Sequence, residues 1–471
     1  MSWRIPELLD AILLAFAFTC LGDWILRRIS RNMLEANQSF LVGLAVCAGA
    51  LFVASVLLPH RALLAIALLL AVAAAGWLIR SKPGADASGG KWSMAGLWMW
   101  LKTDRVRALL LLLVLGLIVA YGVLNFRLSY LWDGFQIWAS KAMVLYHQGG
   151  LTRRLWPSIG PADRFASYPP AVPLYEGLLA YIRGEFDFNS LKPVFLIFYC
   201  SLLMSIFQAA SALVSLRLAL TAVLIVGALP MLCTGQSIGG YADMPLACYV
   251  AATCGAFLSR RDPSSRAADA WPWLAGGLTM VKSEGVVLVA VIVGIVVFDH
   301  LRSGWTGLLR FWNDNRKSAA IVLSFVGLQL CYHAWTGVRD PAYAAVNPAT
   351  IRLALGRIGE VFLECSREMT NVPKWGLLWI ALPVVVLVVL WLGEVRTKQL
   401  TACLLAALGC YGSIYLFTNW SVTLHIGQSF DRLLSQVAPA AAVLTVYSYS
   451  LLGRRLQPHR DGRLESRSRS D

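Results

Sequence analysis

The sequence is poor in charged residues. Asp, Glu, Lys and Arg make up 14% of its 471 residues, while 58% are hydrophobic, and about a quarter of the residues of a soluble domain are charged. Together with a mean hydropathy of +0.63, this leaves too little polar surface to cover a water-soluble globule. Apolar runs of about 17–22 residues recur along the chain, each long enough to span hydrocarbon as a helix. The sequence therefore predicts an all-α polytopic membrane protein.

The sequence also lacks the cysteine spacing of a zinc site or a disulfide framework. None of its ten cysteines forms a CxxC pair. Since most of them lie inside apolar runs, we interpret them as small buried residues. The net charge of +15 resides mostly in arginines of short loops and of the tail, where membrane topology explains them. No nucleic-acid partner is therefore expected.

Basic loops predict which helix ends face the cytoplasm, because Lys and Arg collect in cytoplasmic loops. They lie at residues 27–31, 80–107, 260–266, 302–317 and 396–398, and the tail from 454 to 471 is also rich in arginine. With these loops inside, the N-terminus lies outside, the C-terminus lies inside, and the chain makes about thirteen crossings. Residues 8–26 lack a small-residue cleavage site after them, so we expect a retained helix and not a signal peptide.

Composition divides the chain into four parts. Residues 1–80 hold three leading transmembrane helices, and residues 81–101, which include Lys82-Pro83-Gly84, form a flexible cytoplasmic linker. Residues 102–454 form the main module, and residues 455–471 form a basic cytoplasmic tail. Between Pro169 and Pro230 three apolar segments leave the helix assignment open, and we expect residues 172–182 to be a short or re-entrant helix.

An aspartate among aromatic residues stands in the first outer loop of the main module. Asp133 follows Trp132, and desolvation at a membrane surface can raise the pKa of an aspartate and make it a useful base. Trp138, Lys141 and Tyr146 continue into what we predict to be an interfacial amphipathic helix. An aromatic belt with a helix-capping aspartate explains the same residues without a catalytic function.

Further charged residues follow at the predicted outer ends of later helices. Asp243 opens an apolar helix, where it can cap the helix or contact a ligand. Lys282 and Glu284 form the tip of a short helical hairpin, 271–281 and 286–298. They either neutralise each other or present a cation to a phosphate. Arg432, which follows Asp431, is suited to two-pronged phosphate binding, and a snorkelling anchor is the alternative.

These charged residues fall on one face of the membrane. The topology was assigned from the basic loops alone, yet it places outside a set of six: Asp133, Asp243, Lys282, Glu284, Asp431 and Arg432. A chance arrangement would distribute them over both faces. The coincidence predicts an active site open to the outside and to the outer leaflet. His425 is expected to be an interfacial polar residue and not a ligand.

Four short motifs follow one another in a recognisable order: Asp133 in the first outer loop, Tyr168-Pro169-Pro170, Asp243-Met244-Pro245-Leu246 and Lys282-Ser283-Glu284-Gly285. This order resembles that of the GT-C superfamily of integral membrane glycosyltransferases. The likeness covers about residues 102–454 and is greatest to the branch of protein O-mannosyltransferases and lipid A aminoarabinose transferases. It implies a GT-C-like fold whose extracytoplasmic first loop carries short interfacial helices.

The resemblance also implies an activity. Enzymes of this kind move a sugar from a polyprenyl phosphate carrier to a hydroxyl group of a lipid, glycan or protein, on the extracytoplasmic face of the plasma or inner membrane. Asp133 matches the family's first-loop aspartate, the general base of an inverting displacement. Asp243 matches its second acidic position. Tyr168 precedes the paired prolines, where several relatives have Lys or His.

The donor phosphate needs positive charge to stabilise it as it leaves. We expect Lys282 and Arg432 to supply that charge, with Tyr168 beside them. Supporting roles are expected for Trp132, Lys141, Tyr241, Glu284 and Asp431. No Asp-x-Asp occurs in the Asp133 loop, which argues against the metal-dependent oligosaccharyltransferase branch, so neither a divalent metal nor another cofactor is expected. No nucleotide-binding loop occurs on the cytoplasmic side, which disfavours a nucleotide-sugar donor.

Two other functions fit parts of the sequence. A transporter or flippase of lipid-linked sugars would place ionisable residues near the bilayer midplane, often in two corresponding halves; the charges here lie at helix ends, and no internal repeat is found. An O-antigen ligase or polymerase would use a lipid diphosphate donor and a late outer loop rich in arginine and histidine. Residues 339–374 include Arg352, Arg357 and Arg367, so this alternative stays open.

Overall fold

The structure is a computed structural model, and it describes residues 5–26, 33–80, 104–153, 166–235, 237–259, 269–302, 304–337, 343–344 and 347–456. These residues are 86% helical, with no strand among them. An isolated antiparallel bridge joins Tyr343 to Thr418. The linker predicted at 81–101 and the tail predicted at 455–471 lie outside the described residues, except for Arg455 and Leu456.

The first part of the described chain forms helices α1 to α8. Their bounds are Ile5–Ile25, Met33–Leu57, Ala62–Arg80, Arg105–Arg127, Ser140–Gln148, Ala171–Arg183, Pro193–Ser211 and Leu216–Gly227. One π-helical turn, Gly134–Ala139, precedes α5, and one 3-10 turn, Phe188–Leu191, precedes α7. The short π-helical turn and α5 lie in the predicted first outer loop.

The second part forms helices α9 to α18. Their bounds are Pro230–Cys233, Asp243–Ser259, Trp271–Val281, Glu284–Leu301, Gly304–Thr336, Pro348–Met369, Val372–Trp375, Leu378–Leu392, Val395–Ile414 and Val422–Leu456. A 3-10 turn, Tyr415–Phe417, extends α17. The last helix, α18, is 35 residues long.

Seven of the described helices are long and apolar enough to cross a membrane, by length and composition. They lie in α1, α2, α3, α4, α7, α13 and α17, and shorter apolar helices lie in α8, α10, α12 and α16. The chain is therefore an all-α, multi-pass membrane protein, as predicted. The thirteen crossings, the GT-C-like fold and the orientation of the termini stay predictions.

The three leading helices pack into the same hydrophobic core as the later ones. The hydroxyl of Tyr175 in α6 donates to the carbonyl of Ala11 in α1 (2.7 Å), and the hydroxyl of Tyr249 in α10 donates to the carbonyl of Leu41 in α2 (2.6 Å). Buried hydroxyls need such partners, because an unsatisfied buried donor costs free energy. One core therefore contains residues on both sides of the predicted linker.

The region from Pro169 to Pro230 contains one long and two short helices. Helix α6 begins directly after Pro170 and has 13 residues, so it is about 20 Å long, less than the roughly 30 Å of a bilayer's hydrocarbon core. Helix α8 has 12 residues and is shorter still. Residues 172–182, predicted as a short or re-entrant segment, are thus part of a short helix.

The predicted hairpin around Lys282 is formed by α11 and α12. The backbone of Lys282 is extended (φ −155°, ψ 152°) and ends α11, and α12 starts two residues later. A carbon added at Gly285 would lie 2.0 Å from the carbonyl oxygen of Leu278, so the glycine permits the close approach of the two helices. Helix α12 has 18 residues and is longer than the predicted 286–298, and its apolar part, Glu284–Phe298, is one of the shorter apolar helices.

Trp138, Lys141 and Tyr146 of the first outer loop are predicted to continue into an interfacial amphipathic helix. Trp138 lies in the π-helical turn and Lys141 in α5, and these two are 0% and 1% exposed. Helix α5 packs closely against α6, because Gly177 lets the side chain of Leu145 approach its backbone. The side chains of Trp138 and Lys141 therefore face the protein interior.

A long helix, α14, occupies the predicted outer loop 339–374. Its start is well specified: Asn347 accepts hydrogen bonds from the backbone N–H groups of Ala349 and Thr350 (both 3.0 Å), and Pro348 stands in the first turn. This is a capping box, in which side chains satisfy the free donors of a helix N-terminus. The sequence analysis did not predict this helix.

Candidate functional site

Five of the predicted site residues form one chain of ion pairs. Asp133 lies directly before the π-helical turn, Asp243 begins α10, Lys282 ends α11, Glu284 begins α12, and Arg432 lies in α18. Four separate stretches of the chain therefore bring charged groups to one place. Three carboxylates and two cations alternate along the chain of ion pairs.

The contacts in this network are direct. The Nζ of Lys282 lies 2.7 Å from Asp243 Oδ1 and 2.7 Å from Glu284 Oε1. The Nε of Arg432 donates to Asp243 Oδ2 (3.0 Å), and its Nη1 donates to Asp133 Oδ2. Arginine can bind two oxygens at once because its donors form a planar fork. Arg432 therefore connects the two aspartates that the sequence analysis singled out.

Asp243 is the buried centre of the network. It is 3% exposed, and it accepts hydrogen bonds from Lys282, Arg432 and the side-chain amide of Gln436 (2.7 Å). Gln436 in turn accepts from the hydroxyl of Tyr411 (2.8 Å). A buried carboxylate is tolerated only when it is paired and hydrogen-bonded in this way. Asp243 thus anchors both cations.

Glycines place the Asp133 loop against the start of α10. The backbone N–H of Leu131 donates to the carbonyl of Gly239 (3.0 Å). A carbon added at Gly134 would lie 1.9 Å from that same carbonyl oxygen. Gly240 has φ +83°, and a carbon added there would lie 2.3 Å from the ring of Tyr130. The position of Asp133 therefore depends on close backbone packing.

The network forms part of the wall of a cavity of about 570 Å³. The side chains of Asp133 and Arg432 are 20% and 15% exposed, whereas that of Lys282 is 3% exposed. All three contact the cavity, but only the first two have appreciable accessible surface. Glu284 lines the cavity as well, with 23% of its side chain exposed, so a ligand would meet Glu284 and the Asp133–Arg432 pair before Lys282.

Aromatic residues near Asp133 line the same cavity, among them Trp132, Tyr168 and Tyr241. Trp132 is 68% exposed. The ring of Tyr241 lies under the Arg432 guanidinium, 4.8 Å from its carbon, and burial raises the pKa of the Tyr241 hydroxyl, with the charge of Asp133 adding to the effect. The predicted supporting residues Trp132 and Tyr241 thus lie beside the ion pairs.

A second aromatic wall was missed by the sequence analysis. It consists of Tyr343, Tyr415, Trp420 and His425, all of which line the cavity, and the His425 ring lies 4.8–5.5 Å from the other three. His425 is 5% exposed and therefore packs inside the protein, while its place at the membrane interface stays a prediction. Its Nδ1 is hydrogen-bonded to the Thr418 hydroxyl (2.7 Å). Tyr343 joins this wall from a distant segment, a contact that no sequence spacing indicates.

Lys141 lies behind the cavity wall and not in it. Its Nζ donates to the carbonyls of Ala166 (3.0 Å) and Tyr168 and to the hydroxyl of Tyr332 (3.3 Å). Burial lowers the pKa of Lys141 well below its ordinary value. Through these bonds Lys141 fixes the short segment that carries Ser167 and Tyr168 into the cavity.

Asp431 belongs to a separate cluster. Its Oδ2 lies 2.9 Å from the Nζ of Lys374, which also contacts Glu368 at 2.9 Å. Burial lowers the pKa of Lys374, but the hydrogen bonds to Glu368 and Asp431 outweigh it, and the pKa is raised above its ordinary value. The Asp431 carboxylate therefore pairs with Lys374 and not with the side chain of its neighbour Arg432, and its place on the outer face with the other charges stays a prediction.

The described residues contain no group of three or more His, Cys, Asp and Glu side chains that could hold a metal ion. The acidic side chains of the network alternate with cations and are paired with them. That the protein needs no metal stays a prediction.

Comparison with known proteins adds no relative to these observations. No family model, no curated protein and no solved structure matches the chain. The likeness of its motif order to the GT-C superfamily stays a prediction from the sequence.

Proposed function

We propose that the chain is a membrane glycosyltransferase. It moves a sugar from a polyprenyl phosphate donor to a hydroxyl acceptor on the extracytoplasmic face, with Asp133 as the general base. The observation that carries the proposal is the Asp133–Arg432 pair on the wall of a cavity of about 570 Å³. A carboxylate and a guanidinium side by side supply a proton acceptor and a phosphate-binding group at one point.

The reaction is a single displacement. The acceptor oxygen attacks the anomeric carbon, the bond from that carbon to the phosphate oxygen breaks, and the leaving polyprenyl phosphate keeps the electron pair. The acceptor proton goes to Asp133, and the configuration of the anomeric carbon inverts. The leaving phosphate needs no proton, but it needs positive charge near it.

Arg432 is better placed than Lys282 to supply that charge. Lys282 is 3% exposed and already contacts two carboxylates, so its role in the proposal is to hold Asp243 and Glu284. Arg432 can keep the hydrogen bond from its Nε to Asp243 while its Nη1 leaves Asp133 and binds a phosphate oxygen. That exchange would free Asp133 to accept the proton of the acceptor hydroxyl.

The rest of the cavity suits an amphiphilic sugar donor. Its aromatic residues offer flat apolar surfaces with polar edges. Val287, Ile414 and Leu433 line it as well, so apolar side chains adjoin the ion pairs. A sugar attached to a lipid phosphate likewise has polar groups next to an apolar chain.

A transporter of lipid-linked sugars is the second candidate. Ion pairs within a membrane protein also occur along transport pathways, and the buried Lys282–Asp243 pair is of this kind. The ligase alternative receives less support: Arg357 donates to the carbonyl of Thr418 (2.7 Å) and Arg367 to Glu364 (2.6 Å), and neither lines the cavity.

The test uses purified full-length protein in lipid nanodiscs. It is incubated with polyprenyl phosphate sugars and a cell-envelope extract, and the release of polyprenyl phosphate is followed. We expect Asp133→Asn to lower the release by about 10²–10⁴-fold, the usual contribution of a general base. Glu360→Gln, an exposed acid on α14, is the control and should keep full activity.

Two results would count against the proposal. Near-normal release by Asp133→Asn, with an unchanged size-exclusion profile, would remove Asp133 from the role of base. If neither protein released polyprenyl phosphate but both moved a labelled donor between leaflets, the transporter would replace the transferase.

A further inference from the structure

Helix α14 exposes a continuous apolar stripe. Ile351, Leu355, Ile358 and Phe362 are 44%, 62%, 50% and 73% exposed. Their spacing of four, three and four residues places them on one side of a helix. Four large apolar side chains in a row are unfavourable in water, at roughly 25 cal/mol per Å² of apolar surface. We therefore expect the stripe to contact an apolar environment.

The other sides of α14 differ in character. Ala354 and Val361, seven residues apart, are 4% and 6% exposed and face the protein. Arg352, Glu360 and Arg367 are exposed, and helical geometry places them away from the stripe. The exposed Leu353 and Leu363 lie on this same side, away from the stripe. The helix thus has a buried side, an apolar exposed side and a mainly charged exposed side.

Helix α14 is too polar to cross the bilayer. It is not among the helices whose length and composition fit a membrane span, and its sequence contains six charged residues: Arg352, Arg357, Glu360, Glu364, Arg367 and Glu368. Three are basic and three are acidic, so its side chains have no net charge. A helix with an apolar stripe and no net charge is better suited to binding a bilayer surface than to binding a charged protein partner.

The stripe is also close in the chain to a lipid-facing surface. Helix α16 begins at Leu378, nine residues after the end of α14, and it is an apolar helix in which Val384, Leu387 and Trp391 are 62%, 68% and 69% exposed. In a multi-pass membrane protein such a surface faces lipid. The chain therefore passes from α14 to a membrane helix over a short distance.

We propose that α14 lies in the bilayer surface on the cavity side of the protein, with the stripe Ile351–Leu355–Ile358–Phe362 inserted between lipid headgroups and acyl chains. Its partner is the lipid surface itself, and the contact needs no anionic lipid. Glu360 and Arg367 face water in this arrangement.

This position of α14 in the bilayer surface connects the bilayer to the cavity. The Nη1 of Arg357, on α14, donates to the carbonyl of Thr418 (2.7 Å). The hydroxyl of Thr418 is hydrogen-bonded to His425 (2.7 Å), which lines the cavity. A helix held at the depth of the headgroups would thus hold the second aromatic wall at the same depth. A membrane-bound substrate would enter the cavity from the lipid, a consequence that rests on the proposed function.

The test is photo-crosslinking from α14 in the full-length protein. A benzophenone amino acid replaces Phe362 in one variant and Glu360 in another, and the proteins are reconstituted into phosphatidylcholine nanodiscs, with or without phosphatidylglycerol. We expect about tenfold more lipid adduct from position 362 than from 360, with equal yields in the two lipid mixtures. Lipid adducts are counted by mass spectrometry, which does not depend on any enzymatic activity.

Position 355 provides a second probe in case the variant at 362 fails to fold. Adducts from 355 should match those from 362, since both belong to the stripe. Crosslinks from both positions to a second copy of the chain, or equal lipid adducts from 360 and 362, would overturn the proposal. Failure of the proposed glycosyl transfer would leave the crosslinking result unaffected, so the two proposals fail separately.

Discussion

Two lysines in this protein each bridge two carboxylates, in different surroundings. Lys282 contacts Asp243 and Glu284 with 3% of its side chain exposed. Lys374 contacts Glu368 and Asp431 with 30% exposed. Water screens an accessible pair and leaves it with little net stabilisation, whereas removing one partner of a buried pair leaves an uncompensated charge. The two sites therefore form a matched pair for measuring the effect of burial.

We expect Lys282→Met to lower the free energy of unfolding by about 3–5 kcal/mol, the usual loss when a buried ion pair loses one partner. Lys374→Met should cost clearly less. Unfolding of both variants in mixed detergent micelles, followed by circular dichroism, measures the difference. Equal losses at the two sites would show that burial does not govern the strength of the Lys282 pairs.

At the scale of the element, the loop that carries Asp133 is positioned by backbone contacts. Gly134 has no room for a side chain, because an added carbon would lie 1.9 Å from the Gly239 carbonyl oxygen. Gly116, in the middle of α4, has no atom within 4 Å of an added carbon. An alanine at the first position must displace the loop, while one at the second need not move anything.

Gly134→Ala should therefore reduce polyprenyl phosphate release although it removes no functional group. A shift of about 1 Å in a reacting group can cost about 10²-fold in rate, and a forced contact of this kind costs about 1–3 kcal/mol of stability. Gly116→Ala is the control and should keep full activity, without lowering the unfolding midpoint, since alanine is favoured over glycine inside a helix. A fully active and equally stable Gly134→Ala protein would contradict the described packing of the loop.

At the scale of the whole molecule, the leading helices contribute to the shared core. The carbonyls of Ala11 and Leu41 accept hydrogen bonds from Tyr175 and Tyr249 of the main module, and Asn37 in α2 donates to the Ser205 hydroxyl (2.8 Å) in α7. Removal of α1 to α3 would expose apolar surface and take away the acceptors of the Tyr175 and Tyr249 hydroxyls.

A chain that starts at residue 102 should consequently fail to form a monodisperse protein. Size-exclusion chromatography in detergent tests this, with the full-length chain as the reference. Co-expression of residues 1–101 as a separate fragment should restore the monodisperse form, since the contacts are noncovalent. A stable, active fragment 102–471 would show that the main module is independent.

Local patterns in the sequence were enough for the class of the protein and for much of the candidate site. Apolar runs identify membrane helices because each run is read along one segment, without knowledge of its neighbours. The same logic located the Lys282 hairpin and the start of α10 at Asp243. It also grouped Asp133, Asp243, Lys282, Glu284 and Arg432, which the structure brings into one network.

The tertiary structure alone decided which side of each helix faces a partner. Lys141 is buried, Asp431 pairs with Lys374 and not with the neighbours of Arg432, and His425 lies on a cavity wall beside Tyr343. Each outcome depends on contacts between residues that are far apart in the chain, whereas hydropathy and charge are properties of single segments. The sequence by itself therefore determined an all-α membrane protein with charged residues at helix ends, and packing between helices decided which of those charges meet.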